Sequence, residues 1–391
     1  MSRPLCNSDI KRTNRRLVLE SIYESGTTSR TQLARELSLS KPAISDNLDV
    51  LLNTGIVSEI GQSDSGPSGG RKKILLQFNS ANRYVISIDL SSYSVIFALS
   101  DLDGHILNTF EIFVSADTPA ESCQDLLCSG TRALMQSFAS RMDSVYCIAV
   151  AAPGCFDDDG NLLSCNAQCD CPPWYCIDLK SALSSTFDLP VIIYNNIKAA
   201  AIGEWALGSC RHERNALYLS TGIGIGVGIL MDGSIYTGEG SDAGEIYDYI
   251  ESDDQDASQN FEDRICLDYL RKQCSALADS PFPDPDRITM DQIVAAYQSG
   301  HPGVCRIVKH VCRRLAIMVH NQMNFISFRL ICFAGEYAPF RDCFTRELEA
   351  LYRTGSRPVP TVRGTELGKY GIIQGVIHLS RLRYFDEICS K

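Results

Sequence analysis

The sequence predicts an α/β protein in which a winged helix-turn-helix head, residues 1–78, precedes a two-lobed body, residues 79–391. Two observations lead to this prediction. The head shows three short amphipathic helices, a tight turn and two strands. The body contains two copies of one arrangement, in which three consecutive strands are followed by helices and further strands. With 391 residues, the chain is long enough for two or three folded domains.

Charge is unevenly distributed along the chain. Residues 1–83 hold 12 Lys and Arg against 8 Asp and Glu, and the remainder holds 24 against 39. A basic head on an acidic body suits a nucleic-acid reader carried by a ligand-sensing module. The chain shows neither a signal-peptide pattern nor a run of 18 apolar residues, so we expect a cytoplasmic protein without a membrane partner. Its 17 cysteines favour reduced thiols over a disulfide framework.

Three helices are predicted in the head. The first covers residues 14–24, with Leu17 among the residues on its apolar face, and the second covers residues 30–37. A turn at residues 38–40 leads into the third helix, because Ser40 is a good N-cap and Pro42 is tolerated in the first helical turn. This spacing is typical of a helix-turn-helix.

In a helix-turn-helix, the outward positions of the third helix enter the major groove of double-stranded DNA. The predicted base-facing residues are Lys41, Ala43, Ser45 and Asn47. Asp46 either accepts a hydrogen bond from a cytosine amino group or points away from the DNA. The alternative is a three-helix module that binds protein.

A wing is predicted after the third helix. Residues 56–60 and 74–78 read as two antiparallel strands, and residues 61–73 between them as a linker or wing tip. Arg71, Lys72 and Lys73 suit contacts to phosphates or to a narrow minor groove.

Strands and helices alternate in the body. The first lobe, about 84–194, contains predicted strands at 84–90, 94–100, 105–113, 145–151 and 191–194, with helices at 119–140 and 178–186. The second lobe, about 195–391, contains strands at 216–221, 224–231, 234–237 and 329–334, with helices at 290–299, 303–326, 340–353 and 367–381. The last helix can return to the first lobe.

A glycine-dense stretch, residues 219–245, lies at the centre of the second lobe. Gly222, Gly224, Gly226 and Gly228 fall at every second position, which predicts one strand face open to close approach by a backbone or a ligand. The G-x-G-x-G-x-G spacing differs from a dinucleotide fingerprint. A core hairpin without a ligand is the alternative.

The chain resembles the ROK family (repressors, uncharacterised reading frames and sugar kinases), and in particular its transcriptional repressors. The motifs that carry the resemblance are LARELSLSKPAISDNLDVLLNTGIV, SGGR, Ala152-Pro153-Gly154, YNNIKAAAIGEWALG, LSTGIGIGVGIL and AGEI. The resemblance implies an actin-like, ribonuclease-H-like ATPase-superfamily body, a sugar ligand between the lobes, and a homodimer or homotetramer on a pseudo-palindromic DNA operator.

Two departures from the kinases of this family predict that the protein is not an enzyme and uses no cofactor. Family kinases have an Asn-Asp pair whose Asp takes the proton from the sugar hydroxyl, and this chain has Asn195-Asn196. The first phosphate loop resembles D-x-G-G-T in family kinases, but residues 89–93 here read DLSSY, without glycine.

The zinc motif of family members is also absent. Residues 245–248 read EIYD and continue into a cysteine-free acidic segment, so no tetrahedral metal site is expected there. Four other cysteines have a spacing that matches no usual zinc knuckle, and their ability to bind metal stays open: Cys165, Cys169, Cys171 and Cys176.

By resemblance, a set of amides and carboxylates lines the sugar, because each can bond two adjacent hydroxyl groups. The predicted ligand-binding residues are Gly154, Asn195, Asn196, Glu245, Asp248 and Glu262. The resulting hypothesis is a repressor of carbohydrate-metabolism genes that responds to a small sugar or sugar phosphate. The alternatives are a sugar kinase with an appended DNA-binding head and a sugar-blind regulator controlled by a protein partner.

Overall fold

Three helices form the helical part of the head. The computed structural model describes residues 7–62, 72–91, 93–115, 118–157, 159–164, 174, 177–247, 249–251, 260–353 and 357–391. The helices of the head are α1 (Asn7–Ser25), α2 (Arg30–Glu36) and α3 (Lys41–Asn53).

The predicted turn between α2 and α3 is present. The Ser40 hydroxyl caps α3 by accepting from the backbone N–H of Ala43 at 3.3 Å, and Pro42 lies in the first turn. One prediction for α1 is wrong, since Leu17 is exposed and Leu19 packs in the core. In a helix that begins at Asn7, position 19 lies in phase with the buried Val18 and Ile22, and position 17 lies outside that stripe.

The head also contains a small antiparallel sheet. Its strands are β1 (Thr27–Ser29), β2 (Val57–Gln62) and β3 (Ile74–Phe78), in the order β1-β3-β2. The hairpin of β2 and β3 is the predicted wing, and it pairs Gln62 with Ile74. Strand β1 was not predicted, because three polar residues carry no hydrophobic alternation.

The first lobe is a five-stranded mixed sheet with helices. Its elements are β4 (Tyr84–Asp89), β5 (Ser94–Asp101), β6 (Ile106–Phe113), α4 (Ala120–Ser137), β7 (Val145–Ala152), β8 (Cys155–Phe156), β9 (Leu162–Ser164), α5 (Leu179–Ser184) and β10 (Val191–Asn195). The strand order is β10-β7-β4-β5-β6, in which the last three form an antiparallel meander and β7 and β10 run parallel to β4. Strands β4 and β7 are buried throughout, as central strands covered on both faces should be.

The second lobe repeats this plan. Its elements are α6 (Asn196–Leu207), β11 (Ala216–Thr221), β12 (Gly226–Met231), β13 (Ser234–Tyr236), α7 (Leu267–Ser275), α8 (Met290–Gln298), α9 (Pro302–Gln322), β14 (Leu330–Gly335), α10 (Arg341–Tyr352), β15 (Thr361–Gly364) and α11 (Gly371–Ser390). The order β13-β12-β11-β14-β15 matches the first sheet strand for strand. The predicted winged head and two-lobed α/β body are therefore confirmed.

Helix α11 joins the second lobe to the first lobe and to the head. The backbones of α11 and α6 are in contact where the two helices cross. A Cβ placed on Gly375 would lie only 1.7 Å from the carbonyl oxygen of Ala199. Helix α11 also packs on β4 and β7 and, through its last turns, on α1. No helix in the described ranges is both long and apolar enough to cross a membrane.

The head contacts α11 through aromatic packing and through hydrogen bonds from two arginines. Tyr23, Phe78 and Phe385 form a cluster of edge-to-face rings, with centroids 5.1 to 6.1 Å apart. Arg15 donates to the carbonyl of Cys389 at 3.2 Å, and Arg16 donates to Asp386 at 2.9 Å. The head is thus held by contacts with the end of a body helix.

Candidate ligand cleft and nucleic-acid interface

The glycine stretch is a loop followed by a strand, which corrects the prediction of one strand face. Strand β11 ends at Thr221 and β12 begins at Gly226, because Gly222 has φ +147°, a conformation that favours glycine and interrupts the strand. Gly226 and Gly228 instead allow α6 to approach the sheet. A Cβ on Gly228 would lie 2.5 Å from the Cβ of Ala201.

Two carboxylates lie against this glycine loop. A Cβ on Gly222 would lie 1.4 Å from Oε2 of Glu336, so the Glu336 carboxylate occupies the space beside the glycine. The buried Glu262 accepts from the backbone N–H of Ile225 at 2.6 Å. Glu262, which was predicted to bind the ligand, therefore stabilises the glycine loop through a hydrogen bond. A triphosphate on this loop would meet two acidic groups.

Asn195 and Asn196 lie at the N-terminus of α6, at the point where β10 ends. Asn195 caps the helix by accepting from the N–H of Lys198 at 2.9 Å, and its amide donates to the carbonyl of Gly154 at 2.9 Å. Asn196 accepts from the N–H of Ile197 at 2.9 Å. The structure thus brings together Gly154, Asn195 and Asn196, three of the predicted ligand-binding residues.

A lysine that was not predicted as a site residue lies in the first turn of the same helix. Lys198 is 7% exposed, and its ammonium group donates to the carbonyl of Ser241. The signal available in the sequence is a single charge inside the otherwise apolar run KAAAIG. Lys198 anchors the loop that carries Glu245 beside the N-terminus of α6.

Glu245 faces Lys198 and Cys155 at this position. Glu245 is an exposed residue, but neighbouring groups remove part of the water around its carboxyl group, and this desolvation raises the pKa of that group. The Lys198 ammonium and a hydrogen bond from Cys155 act in the opposite direction. Glu245 is thus an exposed carboxylate beside Cys155, the neighbour of Gly154, and beside Lys198 in the first turn of α6.

The first loop of the body keeps its acidic residue in the interior. Asp89 ends β4 and accepts from the N–H of Ser91 at 2.9 Å, and burial raises its pKa to about 6. Leu90 is fully buried in the core of the first lobe. At Asp89, Leu90 and Ser91, the described start of this loop, the chain therefore supplies an acid and a satisfied amide rather than a glycine-rich cradle of N–H groups.

Several predicted residues lie outside the described ranges. They are Asp248, Arg71, and the cysteines at 165, 169, 171 and 176. Within the described ranges, no three His, Cys, Asp or Glu side chains come together as a metal site.

On the DNA-facing helix the structure contradicts one prediction. Asn47 is buried, at 5% exposure, and its amide donates to the carbonyl of Ala43 at 2.8 Å. Position 47 follows Ala43 by one turn, which rotates it toward the buried stripe of Ile44, Leu48 and Leu51. Asp46 instead lies on the exposed face with Lys41, while Ser45 and Ala43 are half-buried.

Two of the predicted phosphate-contacting residues lie at the wing. Lys72 and Lys73 are exposed and directly precede β3. Arg30 on α2 is paired with Asp49 of α3 at 3.5 Å and with Glu59 of β2 at 3.6 Å. Arg30 therefore links α3, the helix predicted to enter the major groove, to strand β2 of the wing.

These features agree with comparisons to known proteins. The model of the ROK family matches residues 85–357, and that of the bacterial regulatory proteins of the arsR family matches residues 12–59. A xylose repressor of Caldicellulosiruptor bescii is 27% identical over 357 residues, which cover 88% of each chain. A xylose repressor of Bacillus spizizenii is 30% identical over 242 residues, and the alignment spans only 60% of that relative's length.

Solved structures show the same fold. A ROK family transcriptional regulator, a homologue of the Escherichia coli Mlc protein, aligns with a TM-score of 0.78 over 97% of this chain and 98% of that chain, at 21% identity. A ROK family glucokinase from Streptomyces griseus aligns with a TM-score of 0.63 over 76% of this chain and 98% of that chain, at 20% identity. The family match covers more than half of the sequence, and the chain therefore belongs to the ROK family, with a helix-turn-helix head in front of the ROK body.

Proposed function

We propose that the protein is a DNA-binding transcriptional repressor of carbohydrate genes, which releases its operator when a small sugar binds between the two lobes. The main support for this proposal is that a winged head is joined directly to a sugar-kinase fold, in which the Glu336 carboxylate fills the space beside Gly222 of the glycine loop. The relatives named as xylose repressors support the same function. The repressor acts in the cytoplasm as a homodimer or homotetramer on a pseudo-palindromic operator.

Helices α6 and α11 give the sugar a route to the head. The N-terminus of α6 carries Asn195 and Asn196 at the cleft, and its middle is in backbone contact with α11 through Gly203 and Gly375. The end of α11 holds α1 through Phe385 and Asp386. A sugar that binds one arrangement of the lobes more tightly would shift the position of the heads, and with it the affinity for DNA.

The position of the Glu336 carboxylate beside Gly222 argues against the kinase alternative. The prediction is that Asn196→Asp, which restores a carboxylate at the base position, leaves ATP-dependent sugar phosphorylation at background, because Glu336 still lies against the glycine loop. A coupled assay with D-glucose, D-xylose and N-acetyl-D-glucosamine measures this for the wild type and the variant. Robust turnover by the wild-type chain would overturn the proposal that the protein is not an enzyme.

The exposed lysines of the head give a prediction about DNA affinity. Lys72→Ala is expected to weaken binding to specific and random duplexes alike and to reduce the slope of log affinity against log salt by about 0.9, as expected for one lost phosphate contact. Electrophoretic mobility shifts at several salt concentrations measure both quantities. Lys309→Ala, at an exposed position of α9 in the body, is the matched control. An equal effect of both variants would contradict a contact made by the head.

The burial of Asn47 gives a prediction about specificity. Ser45→Ala is expected to change the base preference at one operator position, worth about 1–3 kcal/mol, because Ser45 keeps access to the outer face of α3. Asn47→Ala is expected to leave the preference unchanged, since its amide bonds its own helix. Binding to a randomised duplex pool followed by sequencing distinguishes the two. A changed base preference in Asn47→Ala, with Ser45→Ala silent, would contradict this orientation of α3.

A further inference from the structure

Four exposed residues of α3 form one stripe along the helix. They follow one another at intervals of four, three and four residues, which keeps them on a single face: Pro42, Asp46, Asp49 and Asn53. The opposite face of α3 packs in the core of the head through Ile44, Leu48 and Leu51. The exposed stripe is therefore the part of α3 that the major groove of DNA would receive, and its first half would lie deepest.

Both charged residues of this stripe are acidic, but only one of them is paired. Asp49 lies 3.5 Å from the guanidinium group of Arg30 on α2. Within the part of the chain that the structure describes, no ion pair or hydrogen bond engages the side chain of Asp46. No positive charge lies three or four positions away on the same helix, where the residues are Pro42, Ala43, Asp49 and Val50. Asp46 is thus an unpaired carboxylate on the surface that would meet DNA.

A carboxylate in this position opposes DNA binding unless it meets a hydrogen-bond donor. The phosphate groups that border the major groove repel it. Positive charge for those phosphates is available on both sides of the stripe, because Lys41 is exposed at the start of α3 and Lys72 and Lys73 are exposed at the wing. The head can therefore place its lysines at the backbone of the duplex while Asp46 faces the base edges.

Among the four bases, cytosine offers the donor that a carboxylate needs. An ionised carboxylate only accepts hydrogen bonds, and the major-groove edge of cytosine presents the N4 amino group with no acceptor of its own beside it. Adenine presents its N6 amino group next to the N7 acceptor, a pair that suits the amide of Asn or Gln. Guanine and thymine present acceptor oxygens, which repel a carboxylate.

We infer that Asp46 determines part of the operator sequence, by selecting a cytosine at one position of each half-site through a hydrogen bond from the N4 amino group. This inference rests on the proposed DNA-binding function and extends it, because it names a base that the operator contains. The sequence left two orientations of Asp46 open. Its place in the exposed stripe, without a partner in the described chain, favours the orientation toward the bases.

The first test selects duplexes from a randomised pool with the full chain, followed by sequencing. The wild type is expected to enrich one cytosine per half-site that depends on residue 46. Asp46→Asn is expected to select adenine at that position instead, because an amide can accept from N6 and donate to N7. Asp49→Asn removes the same charge from the same helix and is the matched control. It is expected to keep the cytosine, because Asp49 is engaged by Arg30.

Affinities for matched duplexes give a second readout. Exchanging the selected C·G pair for G·C is expected to weaken binding of the wild type about tenfold, and to change the affinity of Asp46→Ala by less than about twofold. Asp46→Ala is also expected to bind random duplexes more tightly than the wild type, since it lacks a charge that phosphates repel. A damaged head would instead lose affinity for every duplex, which separates a structural role of Asp46 from base recognition.

The possible results distinguish this inference from the proposed function. An unchanged base preference in Asp46→Asn, or a base other than cytosine at the position that responds, would overturn the inference and leave the DNA-binding repressor standing. Loss of the cytosine in both Asp46→Asn and Asp49→Asn would also overturn it, because the cause would then be the charge of α3. A wild-type chain that enriches no site would overturn the DNA-binding function itself, and this inference with it.

Discussion

Gly375→Ala is expected to lower the free energy of unfolding by about 3 kcal/mol, although alanine is the better helix former. Helix propensity alone would favour alanine by about 1 kcal/mol inside α11. A Cβ at this position, however, would lie 1.7 Å from the carbonyl oxygen of Ala199 and 3.1 Å from the backbone nitrogen of Gly203. Backbone atoms cannot rotate out of the way as a side chain can, so the two helices must separate, and overpacking dominates.

Urea unfolding of the full chain measures this effect. Gly300→Ala is the control, because Gly300 also lies in the second lobe but has open space around its Cβ position. Its φ of +79° is expected to limit the cost of alanine there to about 1 kcal/mol. If Gly375→Ala were as stable as the wild type, α6 and α11 would not be in backbone contact, and the route from cleft to head would be lost.

The second large expected effect is a loss of folding stability at acidic pH, caused by the buried His378. Its ring is buried between Trp205 and Arg381, whose guanidinium donates to Nδ1 at 2.7 Å. Burial lowers the pKa of His378 to about 3, with Arg381 and Arg16 adding to the shift. In the unfolded chain the ring titrates near its ordinary value of about 6.5. Between these two values only the unfolded state takes up the proton, so stability is present above about pH 6.5 and falls as the pH drops toward 3.

By about pH 5 this group alone is expected to cost the folded state about 2 kcal/mol relative to pH 8. His378→Gln keeps a hydrogen-bond acceptor for Arg381 and cannot be protonated, so it should reduce the loss between pH 8 and pH 5 by that amount. Denaturant unfolding at the two pH values measures the difference. His212→Asn, an exposed position with φ +68° that asparagine tolerates, should lose as much stability as the wild type; an equal loss in His378→Gln would contradict a neutral, buried ring.

Hydrophobic alternation predicted the fold because most strands of the two sheets are long enough to show it. The meander of β4, β5 and β6 and its repeat in β11, β12 and β13 came directly from that pattern. Strands β1 and β15 have only three and four residues, most of them polar or glycine, so they show no hydrophobic alternation and were not predicted. Helix α6 was missed because its residues are apolar almost all round, which removes the helical period.

The candidate site could be predicted only in part, since much of it depends on contacts between distant residues. Gly154, Asn195 and Asn196 were identified from motifs, and the structure places them together. The positions of Glu336 beside Gly222 and of Lys198 beside Ser241 join segments 114 and 43 residues apart, which no local pattern reveals. Asn47 was assigned to the wrong face because the exact rotation of α3 depends on its packing against α1 and α2.

The most direct test of the account measures operator affinity with and without sugar. Binding of the full chain to fragmented genomic DNA would identify an enriched site. Fluorescence anisotropy on that duplex would then be recorded while D-xylose, D-glucose or N-acetyl-D-glucosamine is added. We predict a specific site with two-fold symmetry, and a loss of affinity of at least about tenfold at saturating sugar. Failure to enrich any site at low salt, or an operator affinity that no sugar changes, would contradict the account.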